Sequence, residues 1–306
     1  MKTARSKSRL KYSLTMESLT PGGSYLDRFR LAVEAGFEGI EIEADGIADQ
    51  DEVERIGEAA QASGLTIHSV AAPANWAHPF SSEDPREVSK GVQATLRALE
   101  NAHYWGADTL LVVPGIVTAA VSYAQVYLRS QHVIRNEILP VAQGLGIVLA
   151  IENVWNGFLL SPMEYVRYID EFESPWVRAY LDVGNMVFGH PEHWIRIAGS
   201  RTIKLHVKDY QLNTRLRRFA WNKIGQGAIK WNAINEALAE VGFSGWATNT
   251  EPKSLLTRGA NFAAKTLHQK LAPRLPSLDL ALWKVQRHFA RHSLHDAALR
   301  CDRFLH

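Results

Sequence analysis

The chain has 306 residues, 46% of them apolar and 22% charged, ordinary globular values that exclude a disordered or fibrous protein. Lys plus Arg number 34 and Asp plus Glu 32, but the charge is uneven: residues 1–11 carry +5, residues 265–306 carry +5, and the stretch between them is about −8. An acidic middle is a poor match to a nucleic-acid groove, so no nucleic-acid partner is expected.

The single cysteine, Cys301, allows no intrachain disulfide and fits a reducing compartment. The basic start MKTARSKSRLKYS is not followed by the ~7–15 apolar residues of a secretory signal, and no window approaches the ~18 apolar residues of a membrane span. The expectation is a cytoplasmic protein with no membrane partner.

Strands are predicted at about 11–15, 38–43, 65–70, 108–113, 147–152, 178–182, 202–206 and 246–251. Gly36, Gly64, Gly106, Gly146 and Gly242 each stand just before an apolar run, where glycine closes a helix in the left-handed conformation. Asp84-Pro85 reads as an N-cap and first helical residue, followed by one apolar face of Val88, Val92, Leu96, Leu99 and Ala102. Ser161-Pro162-Met163-Glu164 reads as a capping box. A last barrel helix is predicted near 254–270, and Pro273 to Ser277 reads as a linker. Leu278, Leu282, Val285 and Phe289 then give 278–305 the pattern of an amphipathic helix.

Continuously apolar strands such as TLLVV and IVLAI suit parallel strands buried on both faces. Eight alternating β and α segments in this length favour a closed barrel over an open doubly wound sheet. No GxGxxG follows the first strand and no GxxxxGK[ST] occurs, so a nucleotide fold has no support. The expected fold is α/β, a (β/α)8 TIM barrel over residues 10–271, with a C-terminal helical extension at 272–306 that offers one contact for a homo-oligomer.

Functional side chains in such barrels sit at the C-terminal ends of the strands. The last polar residues of predicted strands five to eight are Glu152, Asp182, His206 and Glu251. Three carboxylates brought together would repel unless a cation neutralised them. An oxygen-rich set with one imidazole suits Mn²⁺, with Mg²⁺, Co²⁺ or Fe²⁺ as alternatives. Asn153, Trp155, Asn185, Lys208, Asp209, Arg217 and His68 are candidates to contact substrate. Glu43, at the end of strand two, is a further pocket candidate.

The segments IEN, LDVGN, LHVKD and TEP resemble the xylose-isomerase-like barrel superfamily of sugar and sugar-phosphate isomerases and epimerases. GQG at 225–227, followed by Ile229 and Trp231, resembles the segment that precedes that family's last helix. The resemblance implies a divalent-metal-dependent isomerase or epimerase of a ketose or ketose phosphate. In it Glu152, Asp182, His206 and Glu251 would all hold the metal, and Glu152 and Glu251 would also move a proton α to the carbonyl through a metal-stabilised enediolate. Three positions depart from the free-ketohexose epimerases of that superfamily: Phe158 stands where they carry Glu, Asn185 where they carry His, and Leu212 where they carry Arg. The Asp-Val-Gly-Asn segment is more similar to the phosphopentulose 3-epimerase and hexulose-phosphate isomerase branch, and Arg215, Arg217, Arg218 and Lys223 could meet a phosphate. The same first proton transfer would also serve a dehydratase of an inosose or a lyase of a 3-keto-glycoside. A non-catalytic sugar-binding barrel is the third alternative.

Overall fold

The computed structural model describes residues 10–251 except 20–21, 45–46, 214 and 216–217. The predicted strands all form: β1 (Leu10–Thr15), β2 (Gly39–Glu43), β3 (Thr66–Ala71), β4 (Thr109–Val112), β5 (Val148–Glu152), β6 (Val177–Asp182) and β7 (Thr202–Val207). A hairpin of β8 (Asp209–Asn213) and β9 (Arg218–Asn222) follows, and β10 (Gly245–Asn249) is the last barrel strand. Eight strands close into a barrel in the order β1-β10-β7-β6-β5-β4-β3-β2, every pair parallel.

The helices are α1 (Tyr25–Glu34), α2 (Gln50–Ser63), α3 (Ala74–Ala77), α4 (Pro85–Trp105), α5 (Tyr123–Val133), α6 (Leu139–Leu145), α7 (Pro162–Asp170), α8 (Pro191–Ala198) and α9 (Trp231–Glu240). The five predicted closing glycines all run at positive φ, between 67° and 91°. Asp84 caps α4 through the Arg86 N–H, with Pro85 in the first turn. Only half of the expected capping box forms at α7. Ser161 accepts from the Glu164 N–H, but the Glu164 carboxylate accepts from Tyr123 OH (2.5 Å) and Leu160 N–H (3.2 Å) instead of returning to Ser161. A π turn, Ile134–Ile138, joins α5 to α6 just before Pro140, whose missing N–H cannot continue the α-helical ladder.

Alternation along the strands sorts the side chains. Ile40, Ile42, Leu110, Val112, Leu149 and Ile151 belong to the core that the helices cover. The barrel interior holds a smaller apolar cluster of Ala71, Leu111, Val113, Ala150, Val154 and Tyr180. The remainder of the interior is polar and buried: Ser13, Glu41, His68, Lys204, His206 and Thr248. The site is built where this polar interior reaches the C-terminal ends of the strands.

No helix among the described residues is long and apolar enough to cross a membrane. The predicted helix at 254–270, the linker and the 278–305 helix lie outside the described residues.

Candidate active site

Two groups of side chains among the described residues could hold a metal ion: Glu152, Asp182 and His206, and, on the surface, His190, Glu192 and His193. The first is wholly buried, stands at the C-terminal ends of β5, β6 and β7, and brings its ligand atoms within 4.8 Å of one another. His206 Nδ1 lies 2.8 Å from Glu152 Oε1 and 3.9 Å from Asp182 Oδ2. Asp182 Oδ2 accepts no regular hydrogen bond among the described residues, and the Lys208 ammonium sits 2.6 Å from it. Two buried carboxylates and one imidazole, with ligand atoms this close together, fit a divalent cation, whose ligand atoms stand ~3 Å apart at bond lengths of ~2.1 Å.

The electrostatics follow from that crowding. Burial alone would depress the His206 pKa, but the Glu41 and Glu152 carboxylates outweigh it and raise it to about 10, so the metal-free ring is an imidazolium. Burial raises Glu152, against the pull of the His206 charge. Burial opposes the Lys208 ammonium, but Asp182 and Glu152 hold its pKa above the ordinary value.

Glu251 is buried just past β10 but does not belong to the three-residue group. Its carboxylate accepts from the Ile224 N–H (2.6 Å) and from Asn249 Nδ2 (3.3 Å). Burial raises its pKa as well. β10 and β5 stand three strand positions apart around the barrel, so Glu251 and Glu152 rise from different sides of the mouth.

Asn153, Asn185 and Trp155 form a brace under the cluster. Asn153 Nδ2 donates to the Asp182 carbonyl (2.9 Å), and the Asp182 N–H donates to Asn153 Oδ1 (2.7 Å). The Asn185 N–H donates to Asp182 Oδ1 (2.9 Å), and its amide to the Asn153 carbonyl (2.8 Å). Trp155 Nε1 donates to the Asn185 carbonyl (2.6 Å), which leaves its ring exposed beside Phe188 and Phe219. With Trp221 and the buried Tyr210 these rings form an aromatic wall, and Trp221 lies 5.8 Å from the Lys208 ammonium.

Two motif glycines have steric reasons. A Cβ on Gly184 would stand 2.3 Å from Lys208 Cγ, so the Asp-Val-Gly-Asn turn must have glycine for the Lys208 stem to pass. A Cβ on Gly227 would stand 2.1 Å from Asp209 Oδ1. That proximity explains Asp209, a substrate candidate in the sequence. Its carboxylate instead accepts five hydrogen bonds from the protein itself: the N–H groups of Tyr210, Gly225, Gly227 and Ile229, and Trp231 Nε1. Asp209 therefore anchors the GQG loop.

His68 is also placed away from the mouth. Its ring stacks on Trp246 at 4.4 Å, and its nitrogens meet Lys204 Nζ (3.1 Å) and Ser13 Oγ (2.8 Å). Burial first, then the Lys204 charge, depress its pKa, so it is a neutral ring inside the barrel. Arg217 lies outside the described residues, while Arg215 is exposed. Phe158 packs against Tyr123, Tyr127 and Tyr168 and has no access to the mouth.

The sequence reading missed Glu41. It is buried, and its Oε1 lies 2.8 Å from His206 Nε2 while Tyr180 OH donates to its Oε2 (2.7 Å). A buried chain of hydrogen bonds reaches it through the barrel: His68 to Ser13, Ser13 to Thr248 (2.7 Å), Thr248 to Tyr180 (3.1 Å). The signal was present in Gly-Ile-Glu-Ile-Glu, where period-two alternation turns both Glu41 and Glu43 inward.

Residues 29–267 match the family model of the xylose isomerase-like TIM barrel. An L-ribulose-5-phosphate 3-epimerase of Salmonella paratyphi A is 24% identical over 242 residues, spanning 75% of this chain and 82% of that relative. A solved D-psicose 3-epimerase, crystallised in the presence of D-fructose, superposes with a TM-score of 0.70 at 20% identity, covering 86% of this chain and 100% of that one. The Escherichia coli 3-keto-D-glucoside 4-epimerase superposes with a TM-score of 0.71 at 18% identity, covering 86% and 99%. Structural likeness at these identities speaks for the fold, and the family match spans most of the barrel. The chain belongs to the xylose isomerase-like TIM barrel family.

Proposed function

We propose that this protein is a divalent-metal-dependent isomerase or epimerase of a ketose or ketose phosphate, with Mn²⁺ as the preferred ion. The observation that carries the reading is the buried Glu152, Asp182 and His206 cluster at the strand ends, with Glu251 rising from another side of the same mouth. Its curated and structural relatives include a ribulose-phosphate 3-epimerase and a psicose 3-epimerase, which supports a ketose as substrate.

Glu152, Asp182 and His206 would hold the ion. The ion supplies Lewis-acid stabilisation of the negative charge that develops on the substrate carbonyl oxygen. Glu152 removes the proton from the carbon α to the carbonyl, and Glu251 delivers one to the opposite face. Burial raises the pKa of both, which brings each carboxyl closer to the neutral range in which it can act as base or acid. Asn153 and Asn185 keep Asp182 fixed through their four hydrogen bonds. The exposed face of Trp155 offers the sugar ring an apolar surface. Arg215 on the hairpin loop, with Arg217 outside the described residues, is available to a phosphate.

One observation favours a second reading, elimination from a keto-sugar. Glu43 is partly buried at the end of β2, and burial first, then the charges of Glu41 and Glu17, push its pKa up to about 8. A carboxyl raised in this way is better able to protonate a leaving group, a step that elimination requires and epimerisation does not.

Incubation of the Mn²⁺-loaded protein in D₂O with ketoses, ketose phosphates, inososes and 3-keto-glycosides tests both. Deuterium at the carbon α to the carbonyl, with mass otherwise conserved, is the expected result. Loss of water or an aglycone would replace the first reading by the second, and absence of metal-dependent exchange on every compound would count against both.

A further inference from the structure

We infer that Glu41 is the residue that positions His206 for metal binding, directing its Nδ1 into the cluster by holding the Nε2–H. This rests on the metal reading of the Glu152, Asp182 and His206 group and adds to it a residue from the far side of the barrel.

The argument begins with the ring. His206 has two nitrogens and each faces a carboxylate at 2.8 Å: Nδ1 faces Glu152 and Nε2 faces Glu41. Only the Nδ1 side also has Asp182 within reach, at 3.9 Å, so only Nδ1 can share an ion with both other ligands. Nε2 points away from them, toward β2. Among the described residues Glu41 belongs to neither group that could hold a metal ion; its other oxygen accepts from Tyr180 OH, and the Tyr180 ring packs against the His206 ring at 4.3 Å. A carboxylate in that place accepts the Nε2–H whether or not Nδ1 holds a proton. It thereby leaves the Nδ1 lone pair as the one available to an ion, and increases its basicity.

Glu41 is well suited to the task because it is buried and both of its oxygens are engaged. It is 1% exposed, and Tyr180 is itself tied to Thr248, which Ser13 bridges to His68. A residue with only a structural role would contribute to folding without selecting between the two nitrogens.

The test measures Mn²⁺ affinity by calorimetry in the wild type, Glu41→Gln, Glu41→Leu and Tyr180→Phe, with thermal unfolding of each metal-free protein alongside. Glu41→Leu should lose about 10–100-fold in affinity. Glu41→Gln keeps an acceptor for the Nε2–H and should lose less than about tenfold, a partial rescue. In the Zn²⁺-loaded wild type, ¹⁵N NMR of His206 should show Nδ1 bound to the ion and Nε2 protonated, a readout that does not depend on any variant folding. Unchanged Mn²⁺ affinity in both Glu41 variants, or an ion bound through Nε2, would overturn the inference while leaving the metal reading intact. A wild type that binds no divalent ion would overturn both.

Discussion

The Lys208 ammonium stands 2.6 Å from Asp182 Oδ2, inside the group of side chains best suited to hold a cation. Lysine thus supplies to the metal-free protein part of the charge balance that an ion would supply to the loaded one. The two cations compete for one oxygen. Lys208→Gln should therefore bind Mn²⁺ more tightly than the wild type, on the order of tenfold, because a unit charge a few ångströms away is removed. Calorimetric titration of both proteins decides it; weaker binding by the variant would mean that Lys208 supports the ion instead of competing with it.

The two glutamates proposed to move protons should separate in their metal dependence. Glu152 belongs to the buried three-residue group, whereas the Glu251 carboxylate is engaged by the Ile224 N–H and Asn249. Glu152→Gln should lose about 100-fold or more in solvent exchange and also bind Mn²⁺ poorly. Glu251→Gln should lose a comparable factor in exchange yet keep its Mn²⁺ affinity within several-fold. Equal loss of metal by both variants would place Glu251 among the ligands once the ion is bound.

Metal-free protein should lose stability as the pH rises from 6 to 9. His206 rises from 6.5 to about 10 on folding, and Glu43 from 4.5 to about 8. Both groups hold more protons in the folded than in the unfolded state, His206 between those values and Glu43 between its own. The unfolding free energy must then fall with pH across the window. The contribution of His206 is fully present below pH 6.5 and gone above about 10. A drop in unfolding temperature on the order of 5–10 °C is expected in the presence of a chelator. Mn²⁺ should flatten the slope, because an ion on Nδ1 replaces the proton whose loss destabilises the fold. A flat or rising profile without metal would show that these shifts are not expressed in solution.

Asp209→Ala should be among the most destabilising single substitutions in the mouth. It would remove the acceptor of four backbone N–H groups and the Trp231 indole, three of these hydrogen bonds buried and two part-buried. A loss of about 3 kcal/mol or more is expected from stranding several buried donors. Denaturant unfolding reads it directly, and a cost below about 1 kcal/mol would show that the GQG loop finds other partners.

Most of the barrel was legible because its signals are local. A glycine at the end of five helices, each with an apolar run after it, marked five of the strands, and the last polar residues of predicted strands five to eight marked the mouth. The hairpin of β8 and β9 was not legible in the same way. Its residues read as a basic loop before Gly225, yet Tyr210 pairs with Trp221 and Leu212 with Phe219, an alternation hidden by the intervening arginines. Glu41 was overlooked for a different reason. Which of two inward glutamates meets His206 is set by strand tilt and by the register shift between Ile40 and Glu41, properties of the closed barrel and of no single segment. Asp209 was misjudged because a polar residue beside a mouth looks the same in sequence whether it faces a ligand or the backbone of a neighbouring loop.

The closure of β1 on β10 ties the assembly of the site to the order of synthesis. β1 gains its second neighbour only when Gly245–Asn249 is available, and Glu41 waits for a partner 165 positions away. A nascent chain with seven of the barrel strands made therefore carries an open edge on β1 and cannot join Thr248 to Ser13. The last barrel strand to leave the ribosome would complete both the sheet and the polar axis within it, so the slow step of folding should be ring closure, a long-range event whose rate responds to substitutions in β1 and β10 more than to those in β4 and β5.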